Sequence, residues 1–471
     1  MKITLLIDFG STFTKVVAVN LEEETVLGRA QAPSTVDTDM TIGLFEALNK
    51  LRINGKRIEE EEIVRKLACS SAAGGLKIIA IGLVPELTVE AAKRAALGAG
   101  AKIVGTYAYE LTEDDLESIE KARPDLVLLA GGTDGGNKEV ILHNARMLAK
   151  SKLNVPIVVA GNRVVSGEIK KSLTSSGKTV EVTENVLPEI DKLNVEPVRS
   201  LIREIFIKRI VHAKGLDKAQ AYVGDILMPT PMATLKAARL LADGTEKEGG
   251  LGELMVVEVG GATTNIHTVS RSYAGESGVV LKGLPEPYAK RTVEGDLGIR
   301  YNAYTILEVA GIDRMKRHLM SSIDEETLIE KIKSLPSNVS LVPETEEDRF
   351  VDICLARTAT EIAVERHVGY LKDVFSPMGR IWFQYGKDCT GIRNVIGTGG
   401  VFAHGFGSSL ILEAVLFRDD APHILRPRNP EFYIDQSYLL YGIGLLSDYE
   451  PEKALRIAKK SLRKLSRRDA S

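Results

Sequence analysis

The sequence is poor in the residues that build the simplest kinds of functional site. Only three of its 471 residues are cysteine, Cys69, Cys354 and Cys389, and they stand far apart. They form no CxxC metal or redox motif, and an odd count argues against a disulfide framework. They read as reduced thiols, the state expected in a cytoplasm. Aromatic residues make up 5% of the chain and tryptophan occurs once. No basic stretch is interleaved with aromatics, which excludes the stacking platform that single-stranded nucleic acid requires. A formal net charge of -3 supplies no global field for nucleic-acid binding. The seven histidines show no HxxxH or HxxEH spacing, so the helix-borne zinc site of a metallohydrolase is excluded. No apolar run reaches about 18 residues, so no membrane span is expected. The first residues enter a strand pattern at once, without a signal-peptide pattern. A soluble cytoplasmic protein is expected, with neither nucleic acid nor membrane among its partners.

What is present is a short pattern written twice. Near the N-terminus the chain reads Leu6-Ile7-Asp8-Phe9-Gly10-Ser11-Thr12-Phe13-Thr14-Lys15-Val16. Further on it reads Val256-Val257-Glu258-Val259-Gly260-Gly261-Ala262-Thr263-Thr264-Asn265-Ile266. Each copy is an apolar strand ending in an acid, then a turn of Gly, Ala, Ser and Thr, then a second strand. Such a hairpin tip offers backbone N–H groups and hydroxyls to an anion, and glycine lets the backbone come close. The acid at the strand end suits a hydrated Mg2+ facing phosphates. Two such tips on two lobes would grip one nucleotide from both sides. A third glycine turn, Val395-Ile396-Gly397-Thr398-Gly399-Gly400-Val401-Phe402, ends another apolar strand and would let backbone pack against a nucleoside.

The rest of the chain reads as alternating elements. Three strands at 3–9, 14–19 and 25–31 precede a helical stretch at 41–51 and a strand at 66–70. Strand-like runs at 77–83, 102–108, 125–130, 155–160 and 178–182 then alternate with helix-like runs at 88–99, 112–122, 137–150 and 163–176. That rhythm is a doubly wound α/β unit, inserted because the first lobe resumes afterwards. It resumes with a helix at 198–213 and a strand running through Pro229-Thr230-Pro231 into a helix at 232–242. The stretch 243–250 is polar and Gly-bearing, a hinge candidate. Helices follow at 323–334 and 345–367. The expected domains are a first lobe at 1–76, an insertion at 77–190, the rest of the first lobe with the hinge at 191–247, a second lobe at 248–450 and a basic tail at 451–471.

Together these motifs resemble the ATPase superfamily of actin, Hsp70 and the sugar kinases. Residues 8–15 match its first phosphate motif, 229–235 the segment connecting its lobes, 258–265 its second phosphate motif and 397–401 its adenosine motif. Further stretches narrow the resemblance. Ala68-Cys69-Ser70-Ser71-Ala72-Ala73-Gly74-Gly75-Leu76, Leu129-Ala130-Gly131-Gly132-Thr133-Asp134-Gly135-Gly136-Asn137 and Val293-Glu294-Gly295-Asp296-Leu297-Gly298, with the first hairpin, look like the methylaspartate mutase accessory protein family along essentially the whole chain. The resemblance implies an α/β fold of two ribonuclease-H-like lobes with an inserted doubly wound α/β domain. It implies an ATP-dependent reactivating chaperone, a slow ATPase, for an adenosylcobalamin-dependent mutase such as glutamate mutase or an aminomutase.

On that reading ATP or ADP is bound with Mg2+, the metal near Asp8 and Glu258. Gly10, Ser11, Thr12, Thr14 and Lys15 lie on one side of the phosphates, and Gly260, Gly261, Ala262, Thr263 and Thr264 on the other. Gly397, Thr398, Gly399 and Gly400 lie toward the nucleoside. Asp8, Glu258 and Asn265 are the catalytic candidates. The family pattern has aspartate where Glu258 and Asn265 stand, so Asn265 is expected to slow hydrolysis by lacking a charge. The cobalamin-ligand signature Asp-x-His-x-x-Gly is absent, and His143 lacks its context, so no cobalamin ligand is expected although the insertion has a B12-domain rhythm. Asp134 reads either as an anion or partner contact or as a group satisfying its own loop, with Asn137 capping the next helix. Glu294 and Asp296 read equally as metal-side carboxylates or as parts of a capped turn. The tail, with Leu455, Leu462 and Leu465 on a thin apolar edge, could dock on an acidic partner or a membrane surface, but reads first as a solvated helix. Two other readings stay open: a small-molecule kinase of the same fold, and a non-enzymatic nucleotide-binding scaffold.

Overall fold

The computed structural model describes residues 2–35, 38–71, 76–99, 101–190, 192–210, 216–224, 226–272, 279–319, 323–376, 379–404 and 406–466. Parts of the expected loop at 70–75, of the helix at 198–213 and of the basic tail lie outside them. Two compact units divide the chain. One comprises Met1–Ala73, Val211–Lys282 and Glu286–Ser471, and the other Gly74–Ile210 with Gly283–Pro285.

The first unit opens with β1 (Ile3–Phe9), β2 (Phe13–Asn20), β3 (Thr25–Pro33) and β4 (Ile63–Ser70). Every residue of β1 is buried, because it lies centrally in its sheet and is covered on both faces, which explains its unbroken apolar run.

The second unit holds β5 (Lys77–Gly82), β6 (Lys102–Ala108), β7 (Leu126–Leu129), β8 (Ile157–Val159) and β9 (Val180–Val182). They form one sheet in the order β6-β5-β7-β8-β9, parallel throughout. The crossover helices are Glu90–Gly98, Glu113–Lys121, Glu139–Lys150 and Ser166–Ser175. This is the doubly wound arrangement with strand order 2-1-3-4-5. The helix Glu196–Ile210 follows its last strand.

The chain then returns to the first unit. Strand β10 (Ile226–Pro229) completes a sheet in the order β10-β4-β1-β2-β3, in which β1 and β3 run antiparallel to β2 while β4 and β10 run parallel to β1. The remaining strands are β11 (Leu254–Val259), β12 (Thr264–Val269), β13 (Val279–Lys282), β14 (Ala289–Glu294), β15 (Tyr370–Ser376), β16 (Gly379–Tyr385), β17 (Asn394–Thr398), β18 (Glu431–Asp435) and β19 (Leu462–Lys464). Six of them make a second sheet, β14-β12-β11-β17-β18-β19. Without its edge strand β19, it repeats the first sheet's connectivity: an antiparallel hairpin and third strand, then two parallel strands on the other side of the first. The two lobes are therefore the same ribonuclease-H-like topology twice, built on the two hairpins that the sequence repeats. A three-stranded sheet, β13-β16-β15, is an addition that the sequence pattern did not indicate.

Helices Thr230–Asp243 and Leu440–Leu446 share one core with residues of both lobe sheets, among them Leu6, Met228, Val256 and Ile396. The two helices approach closely: a Cβ added to Gly444 would lie 1.8 Å from the Ala233 carbonyl oxygen. The 243–250 joint is a tight turn with a bridge between Gly244 and Gly249. The tail departs from the expected solvated helix. Pro451–Ser461 buries Ala454, Leu455, Ile457 and Ala458, Arg456 Nε donates to Glu24 at 2.8 Å, and Lys459 Nζ donates to Glu248 at 2.7 Å. Its charges are satisfied by the fold's own acids, so its apolar face docks. No helix among the described residues is long and apolar enough to cross a membrane.

Candidate functional site

Both hairpin tips open on one cleft of about 440 Å³ in the first unit. The first tip brings Asp8, Gly10, Ser11, Thr12 and Lys15 to it, and the second Glu258, Gly260, Gly261, Ala262, Thr263 and Asn265. The tips come close to each other: a Cβ on Gly261 would stand 2.7 Å from Thr12 Oγ1.

Strand alternation decides which residues of each motif face the cleft. Thr14 is buried against Ser34, 3.2 Å from its hydroxyl. Thr264 is buried and donates to the Leu297 carbonyl at 2.7 Å. Neither is among the residues that line the cleft. In the third turn Gly400 and Val401 line it. Gly397 packs against the Phe402 ring, and Thr398 donates to Asp435 at 2.9 Å. Gly399 has φ 112°, and a Cβ there would meet the Val259 carbonyl oxygen at 2.2 Å. These three support the wall from behind.

The acid at the end of β1 is fully engaged. Lys15 Nζ donates to Asp8 Oδ2 at 2.6 Å, and Thr230 Oγ1 donates to Asp8 Oδ1 at 2.6 Å. Burial opposes the charge on Lys15, but the Asp8 carboxylate outweighs it and holds the ammonium above its usual range. The Tyr438 ring lies 4.3 Å from that ammonium, and burial pushes its phenol up to about 12. Tyr438 holds φ 50°, a conformation costly for an aromatic residue.

The acid at the end of β11 has different partners. Asn265 Nδ2 donates to Glu258 Oε2 at 2.9 Å, and His267 Nε2 lies 3.2 Å from the same oxygen. Burial opposes the charge on Glu258, but these hydrogen bonds outweigh it and keep the carboxyl below its usual range. Burial holds His267 below its ordinary 6.5, although the Glu258 carboxylate pulls it the other way. Asn265 Oδ1 and His267 Nδ1 are buried without hydrogen-bond partners.

The far part of the cleft is apolar, lined by Val339, Leu341, Val342, Ile353 and Phe406. Arg349 lies 4.4 Å over the Phe406 ring. Arg300 makes a two-pronged pair with Asp352 at 2.8 and 2.7 Å. The sequence reading missed Tyr438, Arg300, Arg349 and His267. For His267 a signal existed, since it stands two residues from Asn265 on the same face of one strand.

The remaining candidates lie elsewhere. Glu294 and Asp296 are not among the residues lining the cleft, and both pair with Arg366, at 2.7 and 2.9 Å. In the second unit Asp134 Oδ1 accepts from Arg163 N at 3.0 Å and from Asn185 Nδ2 at 2.9 Å, so it ties neighbouring loops together. Asn137 Oδ1 accepts from Val140 N at 3.2 Å. His143 Nε2 is 3.0 Å from the Leu111 carbonyl oxygen.

Two copies of one ribonuclease-H-like lobe, each presenting an acid-ended glycine hairpin to a shared cleft, define a two-lobed α/β protein. The chain matches the family described as MutL protein over residues 4–462, and it belongs to that family. Protein MutL of Clostridium tetanomorphum is 50% identical over 465 residues, covering 98% of this chain and 99% of that one. Among solved structures, glycerol dehydratase reactivase is similar at 10% identity and TM-score 0.34, covering 95% of this chain and 99% of that one. Xylulose kinase from Bifidobacterium adolescentis is similar at 10% identity and TM-score 0.31, covering 97% and 93%. The repeated sheet topology itself defines the fold.

Proposed function

We propose that this chain is a Mg-ATP-driven reactivating chaperone for an adenosylcobalamin-dependent mutase, glutamate mutase or an aminomutase. The observation that carries the nucleotide reading is the convergence of both glycine tips, with Lys15 and two acids, on one cleft. The sequence resemblance to the mutase accessory family supports the choice of partner.

On this reading the phosphates lie between residues 10–12 and 260–263, whose backbone N–H groups and hydroxyls suit an anion. Lys15 adds the positive charge. The base lies against the apolar end near Phe406 and Arg349, with Gly400 on the adjoining wall. Bound Mg2+ neutralises phosphate charge. No cluster of three or more His, Cys, Asp or Glu that could hold a metal is found among the described residues. The residues present fit a hydrated ion. Asn265 lines the cleft with an unpartnered buried oxygen that suits a metal-bound water, while both Asp8 oxygens already accept hydrogen bonds. Asp8 therefore acts by holding Lys15 and Thr230 in place. Glu258 accepts the proton of the attacking water, and slow turnover suits a switch.

Such mutases hold a damaged cobalamin after the adenosyl radical is quenched. Release needs a chaperone whose affinity for the mutase differs between nucleotide states, since a partner bound equally in both shifts nothing. The inserted sheet is the proposed mutase-facing element, and the chain supplies no cobalamin ligand of its own. The test is reactivation. Inactivated mutase, fresh adenosylcobalamin and this protein should recover activity with Mg-ATP and fail to recover with a non-hydrolysable analogue or with Asp8→Ala. Recovery without nucleotide, or none with it, would refute the proposal.

A further inference from the structure

The partner of Glu258 that no motif contains is His267, and its placement follows from register. In the β11–β12 hairpin Glu258 stands opposite Asn265, and Val256 opposite His267. Residues 256, 258, 265 and 267 therefore share one face of the sheet, with His267 diagonal to Glu258. Strand β12 thus brings two side chains onto one carboxylate, both ending on Oε2, at 2.9 Å and 3.2 Å.

The three groups are buried in order of depth. Glu258 is 7% exposed, Asn265 3% and His267 0%. Glu258 and Asn265 line the cleft, while His267 is not among the lining residues. The imidazole touches the carboxylate from behind. An ionised carboxylate only accepts hydrogen bonds, so Nε2 carries a proton, and in a neutral ring Nδ1 is bare. Nδ1 has no hydrogen-bond partner, so no hydrogen bond competes for the tautomer. A buried, unpaired acceptor carries a desolvation cost, and the interior at His267 accepts it where a leucine would carry none. The compensating contact is the bond to Glu258.

We infer that His267 is a positioning residue for Glu258. It fixes Oε2, together with Asn265, so that Oε1 remains to take the proton of the water that attacks the nucleotide. The inference rests on the nucleotide reading above. In the step concerned, the water oxygen bonds to the terminal phosphorus. The bond from that phosphorus to the bridging oxygen breaks, its electron pair leaves with ADP, and the water proton passes to Glu258. His267 touches none of the reacting atoms. It acts by limiting where the carboxylate stands, which is how supporting hydrogen bonds sharpen a reactive group.

The test uses the full chain with Mg-ATP and compares His267→Leu, which keeps bulk without a donor, with His267→Gln, whose amide keeps a donor near the Nε2 position. Nucleotide affinity is read by calorimetry, hydrolysis by single turnover and folding by thermal melting. His267→Leu should bind Mg-ATP within about threefold of wild type and hydrolyse it about ten- to a hundredfold more slowly. His267→Gln should recover most of the rate. Equal rates for the two folded variants, or a wild-type rate in His267→Leu, would overturn the inference. So would a wild type that binds nucleotide without turning it over. A wild type that does not bind nucleotide would instead refute the function proposed above. A reading independent of the variants' folding is the 15N spectrum of wild-type histidines, with the His267 signal identified by its loss in His267→Gln. It should show the Nε2–H tautomer, and the Nδ1–H tautomer would overturn the inference without any kinetics.

Discussion

Asn265 shows how a side chain's partners decide its role. Read as a motif position, it is a missing carboxylate, and restoring aspartate there should speed hydrolysis. In the structure its amide donates to Glu258 Oε2 at 2.9 Å, and an aspartate would set a second anion against the first. Asn265→Asp is therefore expected to lose a buried hydrogen bond, costing about 1–3 kcal/mol, and to slow turnover. Chemical denaturation and single-turnover kinetics check this, and faster turnover in the variant would contradict it. His367 makes a different prediction. It is fully buried, with its two ring nitrogens 2.9 and 3.0 Å from the hydroxyls of Thr268 and Thr292. Burial holds it well below its ordinary 6.5, and His267 and His404 are shifted the same way. The unfolded chain takes up protons below pH 6.5 that the folded chain refuses, so stability is fully present above that pH and falls as pH drops below it. Urea midpoints at pH 7.5, 6.5 and 5.5 should decline, and less steeply in His367→Gln. A flat profile in the wild type would contradict the assignment.

At the scale of elements, the two hairpins were legible because an apolar strand, an acid and a glycine turn are all local signals. The alternating helices and strands of the insertion were legible for the same reason. The motif strings overreached where they ran through consecutive residues, since a strand shows its neighbour only every second side chain. Lys15 faces the cleft while Thr14 is buried against Ser34, and Asn265 faces it while Thr264 is buried against Leu297. Tyr438 was illegible because only tertiary folding brings it 4.3 Å from Lys15. The same holds for the docked C-terminal helix, whose lysines and arginines signalled solvent until Glu24 and Glu248 were placed beside them. The helix pair between the lobes gives the element-scale prediction. Gly444→Ala would push a methyl into the Ala233 backbone, 1.8 Å away, and overpacking of this kind costs about 1–3 kcal/mol. Denaturant midpoints measure it, and a neutral substitution would show that the two helices can separate without cost.

In the whole molecule, a duplicated lobe whose two hairpin tips meet at one cleft is continuous in chain with an inserted α/β unit that has its own core. The shared helices connect both lobe sheets through one core, so a ligand bridging the two tips is placed to bias the lobes. That claim depends first on nucleotide binding. The most direct measurement is the thermal or chemical stability of the full chain with and without Mg-ATP, in wild type and in Asp8→Ala. At nucleotide about 100 times its dissociation constant, linkage stabilises the fold by about 2.7 kcal/mol. That gain is expected in the wild type, and a much smaller one in Asp8→Ala, where Lys15 and Thr230 lose the carboxylate that holds them. No change in wild-type stability at millimolar Mg-ATP would contradict it.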